Sequence, residues 1–295
     1  MMYTFRAMNS TIHLDSEKGQ EDIQRLFRTM EQCASRFRMD NELAYINRAA
    51  LYRPIYISKL MYDLLACAID VAKKTDFVIH PFVGKAMCAL GYDRSFSEKS
   101  GVSKQETEGF TQSPVELLGE RWIIKTKPFQ LDFGGFGKGF AADKAKHILQ
   151  QQGVSKAMVN AGGDVSLIGR YTVGIAHPLQ VNRDIAIIEV EHMSVATSGV
   201  GHRSWIEGES MRHHFVDGRT GRMAENGALQ ATVVAKTTVE AEVIAKLFCI
   251  LSYNEAIHLV RAKFPHCAFF VYRRNEQLYV GGDVHNYLHH WTVAA

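Results

Sequence analysis

The stretch Asp132-Phe133-Gly134-Gly135-Phe136-Gly137-Lys138-Gly139-Phe140 combines a carboxylate, an ammonium and a run of glycines. Glycine lets backbone approach a ligand closely, and a helix starting here would aim free N–H groups and a positive dipole end at an anion. The chemistry that suits this is the binding of a phosphate or pyrophosphate, with Lys138 as counter-charge. Two familiar phosphate loops are excluded. A Walker A loop needs Gly where Asp132 stands and Ser or Thr where Gly139 stands, and the dinucleotide fingerprint from Gly135 needs Gly where Phe140 stands. A tight strand-to-helix turn with a solvated Lys138 fits the same residues. Three more clusters carry polar groups beside glycine: Asn160-Ala161-Gly162-Gly163-Asp164, Thr197-Ser198-Gly199, and His214-Phe215-Val216-Asp217-Gly218-Arg219-Thr220-Gly221. Each also has a plain reading, as a hairpin turn, a loop after a strand and a type I′ corner respectively.

The elements that must position these residues follow from hydrophobic period. Residues 2–14 alternate as a strand, and 20–37 carry helical spacing through Ile23, Leu26, Phe27 and Met30. Ser58 caps a second helix and Pro81 starts a third. Residues 93–121 are polar and without period, which predicts a surface excursion. Residues 129–132 read as a strand, 140–149 as a helix that Gly153 ends, and 157–160, 165–168, 172–176, 185–190 and 214–216 as strands of a mostly antiparallel sheet. A strand at 229–235 precedes Thr237-Thr238-Val239-Glu240, a capping box for a helix through Val243, Ile244, Leu247 and Leu251. A helix at 254–262 and a hairpin of 268–272 with 278–280 end the chain. The class is α+β, helical over about 1–120 and β-rich over about 121–295, taken together as a single domain over 1–295.

Composition sets the outer bounds. The chain has 295 residues, 46% hydrophobic and 22% charged, with a net charge of +3. That is enough chain for a core without staples, and the mild base excess lacks the basic blocks that track nucleic acid. Five scattered cysteines in apolar surroundings read as reduced, buried thiols. The N-terminus lacks a signal-peptide pattern and no apolar run is long enough to span a membrane, so the expected location is cytoplasmic.

The order and spacing of the motifs resemble the FAD:protein FMN transferases, the ApbE-type flavin transferases, over nearly the whole chain. Met8-Asn9-Ser10 is similar to the family's Met-Gly-Thr, and Asn41-Glu42-Leu43 with Ile46-Asn47 to its Ser-Glu-Leu and Leu-Asn. Leu131-Asp132, Gly137-Lys138-Gly139-Phe140 and Asp143 resemble its Leu-Asp, Ala-Lys-Gly-Tyr and Asp signature. Ala161-Gly162-Gly163-Asp164, Thr197-Ser198-Gly199, and His214 with Asp217, Arg219, Thr220 and Gly221 match its later blocks. The resemblance implies a two-lobed fold with helices and a mostly antiparallel sheet like that of the tunnelling fold, binding FAD in a cleft. It implies transfer of FMN from FAD to a Thr or Ser hydroxyl of an acceptor flavoprotein, with release of AMP. FAD contacts would come from Met8, Phe37, Asp132, Gly137, Lys138, Gly139, Asp143, Gly162, Gly163, Asp164, Thr197, Ser198 and Gly199. His214 and Asp217 would be catalytic, with His214 accepting the hydroxyl proton. Helical spacing also allows Phe37 in the core, a core setting suits His214 as well, and His213 is expected on the solvated side of its strand.

One motif departs from the pattern. The resemblance implies Mg²⁺ held by the Asp and Thr of Ala-Asp-x-x-x-Thr and by a carbonyl of the glycine loop at Gly137. Here the motif reads Ala241-Glu242-Val243-Ile244-Ala245-Lys246. Glu242 offers oxygen ligands, but an ammonium has three donors and no acceptor and ligates no cation. Lys246 can instead stand in for the cation, and an exposed i, i+4 ion pair with Glu242 is the plain alternative. The same departure leaves open two other functions, an FAD-binding protein that transfers nothing and an FAD pyrophosphatase yielding FMN and AMP.

Overall fold

A computed structural model of the chain describes residues 2–91, 107–201, 204–207, 210–213, 215–225 and 227–293. The α+β class holds, and the chain forms two compact units, each assembled from separated segments. The first comprises Met1–Phe27, Lys138–His202 and Asn226–Ala295; the second comprises Arg28–Gly137 and Arg203–Glu225.

The first unit is built on an eight-stranded antiparallel sheet. Its spatial order is Tyr3–Ala7, Ser10–Asp15, Ala157–Ala161, Asp164–Ile168, Ser194–Gly199, Gln230–Ala235, Ala268–Tyr272 and Leu278–Gly282. The expected single strand over 2–14 is two strands, with Ala7 opposite Ser10 and a turn at Met8 and Asn9, whose φ angles are 52° and 55°. Two successive left-handed residues make the tight turn whose twist matches a hairpin. The buried set switches from Phe5 and Ala7 to Ile12 and Leu14, a change of parity that marks the turn.

The helix Thr238–Ile250 packs on the Ser194–Gly199 and Gln230–Ala235 strands. On the sheet's other face, Val165, Leu167, Val195, Val234 and Phe270 share a core with Ile175, Ile185, Ile188 and Val190. Those four belong to a small sheet of Arg170–Ala176, Asp184–Glu191 and His290–Val293. Covered on both faces, Gln230–Ala235 is buried at every residue, the polar Gln230 and Thr232 included. Thr237 caps the 238–250 helix as expected, its Oγ1 accepting from the Glu240 N–H at 3.2 Å.

In the second unit, Ser58 caps the helix Lys59–Lys74 and Asn41 caps Glu42–Arg48. Pro81 opens a 3₁₀ turn, Pro81–Val83, that leads into the helix Gly84–Ala89. Part of the expected surface excursion is regular: Val115–Gly119 pairs with Trp122–Lys125, which pairs with Pro54–Tyr56. Its tight turn, Glu120-Arg121 at φ 47° and 71°, lacks the Asn-Gly or Asp-Gly that announces such hairpins. Residues 92–106 of that stretch lie outside the described residues. Residues 129–132 are no strand. The Leu131 N–H donates to Asn47 Oδ1 at 2.8 Å and the Asp132 N–H to the Pro81 carbonyl at 2.7 Å, so a side chain and a loop replace the ladder.

None of the five cysteines is in a disulfide; Cys249 and Cys267 are buried as expected, whereas Cys33 and Cys67 are half-buried and Cys88 is exposed. Among the described residues no helix is long and apolar enough to cross a membrane.

Candidate functional site

In the first unit the predicted residues gather at one end of the eight-stranded sheet. Gly162 and Gly163, at φ 69° and 99°, form the two-residue link between Ala157–Ala161 and Asp164–Ile168. A side chain at Gly162 would meet Ser10 Oγ at 2.7 Å, so this turn lies against the one carrying Met8. Ala196 pairs with Asp164, and Thr197, Ser198 and Gly199 therefore run on past it at the same end. They form no loop: they pair with Thr232, Ala231 and Gln230, and Thr197 Oγ1 lies 2.9 Å from Thr232 Oγ1.

Beside these turns the helix Gly137–Gln151 begins. Lys138 forms an ion pair with Asp164, which is 2% exposed, and its Nζ lies 3.8 Å from Glu242 Oε1. Lys138 is thus paired rather than freely solvated. Glu242 is fully buried; its Oε2 accepts from the Gly139 N–H at 2.8 Å and its Oε1 from Lys246 Nζ at 2.8 Å. Gly139 is where two helix starts nearly touch, since a Cβ there would lie 2.7 Å from Glu242 Oε2 and 3.0 Å from the Thr238 carbonyl oxygen. Burial rules out the exposed i, i+4 pair for Glu242 and Lys246: the carboxylate is taken from water and Lys246 is only 8% exposed.

Asp143 holds the partner helix in place. Its Oδ1 accepts from the Thr238 N–H at 2.7 Å and its Oδ2 from the Val239 N–H at 3.0 Å, so it caps the 238–250 helix from outside. Burial pushes its carboxyl above the ordinary Asp range, and the N–H bonds oppose that shift. Asp143→Asn puts an NH₂ where one N–H now points, and is expected to cost about 1–3 kcal/mol in urea unfolding. An unchanged midpoint would show that the cap contributes little.

In the second unit Asp132 is 7% exposed, pairs with Arg36 Nε at 2.5 Å and accepts from the Gly134 N–H at 2.6 Å. Gly137 starts its helix with its N–H on the Phe133 carbonyl at 2.7 Å. Phe37 is 40% exposed, which removes it from the core, and the Arg36 guanidinium lies 4.4 Å from its ring centroid. Asp217 is gripped by Arg219, through Nε at 3.0 Å, a terminal nitrogen at 2.6 Å and the backbone N–H at 3.0 Å. The Gly218 carbonyl accepts from His80 Nε2 at 2.9 Å, while His80 Nδ1 accepts from the Phe82 N–H at 3.1 Å. That arrangement needs neutral imidazole, and burial accordingly pushes His80 below its ordinary value.

His214 lies outside the described residues. Its neighbour His213 is buried, not solvated: its N–H donates to Met223 Sδ at 3.5 Å and Phe215 packs 5.7 Å from its ring. Phe215 and Met223, later in the chain, provide this cover, which strand parity alone does not reveal.

Sequence reasoning missed Arg36 and His80 as positioning groups, and named Asn47 only within a motif, without a role. Arg36 and Asp132 are 96 positions apart, a pairing no local pattern encodes. The only local trace at His80 is its place before Pro81, at the start of a helical turn.

The residues present do not suit a divalent cation at Glu242. Both carboxylate oxygens already accept hydrogen bonds, one from an ammonium, and a second ammonium stands nearby. A cation there would face two like charges and find no oxygen on Lys246.

The ApbE family model matches residues 6–271. The FAD:protein FMN transferase of Klebsiella pneumoniae is 24% identical over 245 residues, 81% of this chain and 77% of that protein. Its namesake from Treponema pallidum is 26% identical over 270 residues, 83% of this chain and 74% of that protein. The ApbE protein of Thermotoga maritima superposes with a TM-score of 0.81 at 20% identity, covering 97% of this chain and 98% of that one. The flavin transferase ApbE of Vibrio cholerae gives 0.79 at 21% identity, covering 98% and 99%. Matched by the family model over most of its length and sharing this fold nearly end to end, the chain belongs to the ApbE family.

Proposed function

We propose that the protein is an FAD:protein FMN transferase that moves FMN from FAD onto a Thr or Ser hydroxyl of an acceptor flavoprotein and releases AMP. The observation that carries this reading is the gathering of Lys138, Asp164, Glu242 and Lys246 at a glycine-rich helix start, next to the Gly162-Gly163 and Thr197–Gly199 segments, in a chain of this family. Glycine-bared backbone and two ammonium groups suit a pyrophosphate.

The acceptor oxygen attacks the phosphorus on the riboflavin side. A new P–O bond forms as the bond to the bridging oxygen breaks, AMP leaves with that oxygen, and the hydroxyl proton passes to a base. Such transfers depend on in-line positioning and on offsetting spread-out negative charge. Lys138 and Lys246 supply positive charge, His214 accepts the proton, and Asp217, held rigid by Arg219, orients groups beside it. Phe37, Met8, Asp132 and the sheet-end residues Thr197, Ser198 and Gly199 are assigned to FAD contact.

Calorimetric titration is expected to give a defined stoichiometry with FAD and weaker binding of FMN, because only the dinucleotide brings a pyrophosphate. Mass spectrometry should find FMN added to an acceptor peptide bearing Thr, with AMP released. Equal weak binding of both flavins overturns the site. Release of FMN and AMP without peptide modification would assign a pyrophosphatase instead.

A further inference from the structure

We propose that Lys246 is a built-in replacement for a divalent cation at the Glu242 carboxylate, so that flavin transfer by this chain proceeds without Mg²⁺. Only the last clause rests on the transferase reading; the occupancy of Glu242 is a property of the folded chain alone. Three observations carry it.

The first is the state of the carboxylate. Glu242 is fully buried, its two oxygens accept from Lys246 Nζ and the Gly139 N–H at 2.8 Å each, and Lys138 Nζ stands 3.8 Å from Oε1. Both oxygens are thus taken up by donors that the chain itself provides, an ammonium and a backbone N–H.

The second is charge balance. Lys138 and Lys246 bring two positive charges, Asp164 and Glu242 two negative ones, and the four side chains form a connected series from Asp164 through Lys138 and Glu242 to Lys246. The cluster is neutral as it stands. In the protein without flavin, a divalent ion added to it would leave two uncompensated charges at a site whose carboxylates are already paired.

The third is placement. Lys246 sits one helical turn after Glu242 on the same buried helix, so its ammonium is delivered to Oε1 by the geometry of the helix itself. Its side chain is 11% exposed, unlike the solvated tip of a surface lysine. A lysine supplies one charge as a point and lacks the fixed coordination of Mg²⁺, so it can offset phosphate charge but cannot clamp two oxygens in set directions.

The test uses Mn²⁺ as the probe, read by electron paramagnetic resonance on the full-length protein without flavin, beside the variants Lys246→Thr and Lys246→Thr/Glu242→Gln. The expected result is no bound Mn²⁺ in the wild type, one bound ion in Lys246→Thr, and its loss in the double variant. Wild-type transfer should then be equal in EDTA and in added Mg²⁺. One equivalent of Mn²⁺ bound by the wild type overturns the proposal, as does wild-type transfer that stops in EDTA and returns with Mg²⁺. A folded Lys246→Thr that gains no Mn²⁺ overturns the claim of replacement. If Lys246→Thr does not fold, the wild-type Mn²⁺ titration still decides. A protein that transfers FMN under no condition defeats the transferase reading, while the Mn²⁺ series separately judges Lys246.

Discussion

Lys138→Met is expected to lower the free energy of unfolding by about 3–5 kcal/mol, and Lys138→Met with Asp164→Leu to recover most of that loss. The reason is the exposure of the partner. Asp164 is 2% exposed at the start of a central strand, and Lys138 provides its opposite charge. Removing the ammonium leaves a carboxylate in a low-dielectric place without compensation, whereas removing both charges replaces the pair with apolar volume. Urea unfolding of the two single variants and the double variant measures the coupling directly. Additive losses, with no recovery in the double variant, would mean that the pair is not coupled and that Lys138 acts independently. FMN transfer should fall in the double variant even where stability returns, because the charge offered to the pyrophosphate is gone.

His214→Ala should slow FMN transfer by about 10²–10⁴-fold while changing FAD affinity little, the range a positioned general base contributes. A base acts on the hydroxyl proton as the transition state forms and makes few contacts with bound FAD, so its loss falls on the rate rather than on binding. His213→Ala is the informative control. His213 is 5% exposed and its ring packs against Phe215, so its loss should show first as reduced stability. Single-turnover transfer and calorimetric FAD titration separate the two histidines. Wild-type transfer by His214→Ala would place the base elsewhere, and equal behaviour of both variants would deny His214 its distinct role.

The readings that held were those in which neighbouring residues carry the cause. Ser58 and Thr237 cap helices because a side-chain oxygen reaches an N–H three residues ahead, an interaction complete within one turn. Gly162-Gly163 turns a hairpin because two left-handed φ values are needed at adjacent positions. The readings that failed lacked such a local cause or had an inconspicuous one. The Glu120-Arg121 turn uses residues that rarely accept positive φ, and residues 129–132 satisfy their backbone on Asn47 and Pro81, far away in the chain.

The candidate site divides along the same line. Residue types, their order and the departure at Lys246 are all present in the one-dimensional chain, and they suffice for the family. The difference between an exposed Glu242–Lys246 pair and a buried one has no local signature, because an i, i+4 spacing is the same on either face of a helix. It took the packing of the 238–250 helix on the sheet, and the close approach at Gly139 that permits it, to remove that carboxylate from water. Asp143 is a parallel case. Its spacing after the glycine loop matches a flavin-site motif, yet both its oxygens are turned to a helix start 95 and 96 residues further on. Desolvation and long-range hydrogen bonding depend on which segments the whole chain brings together, and those two effects assign such residues their work.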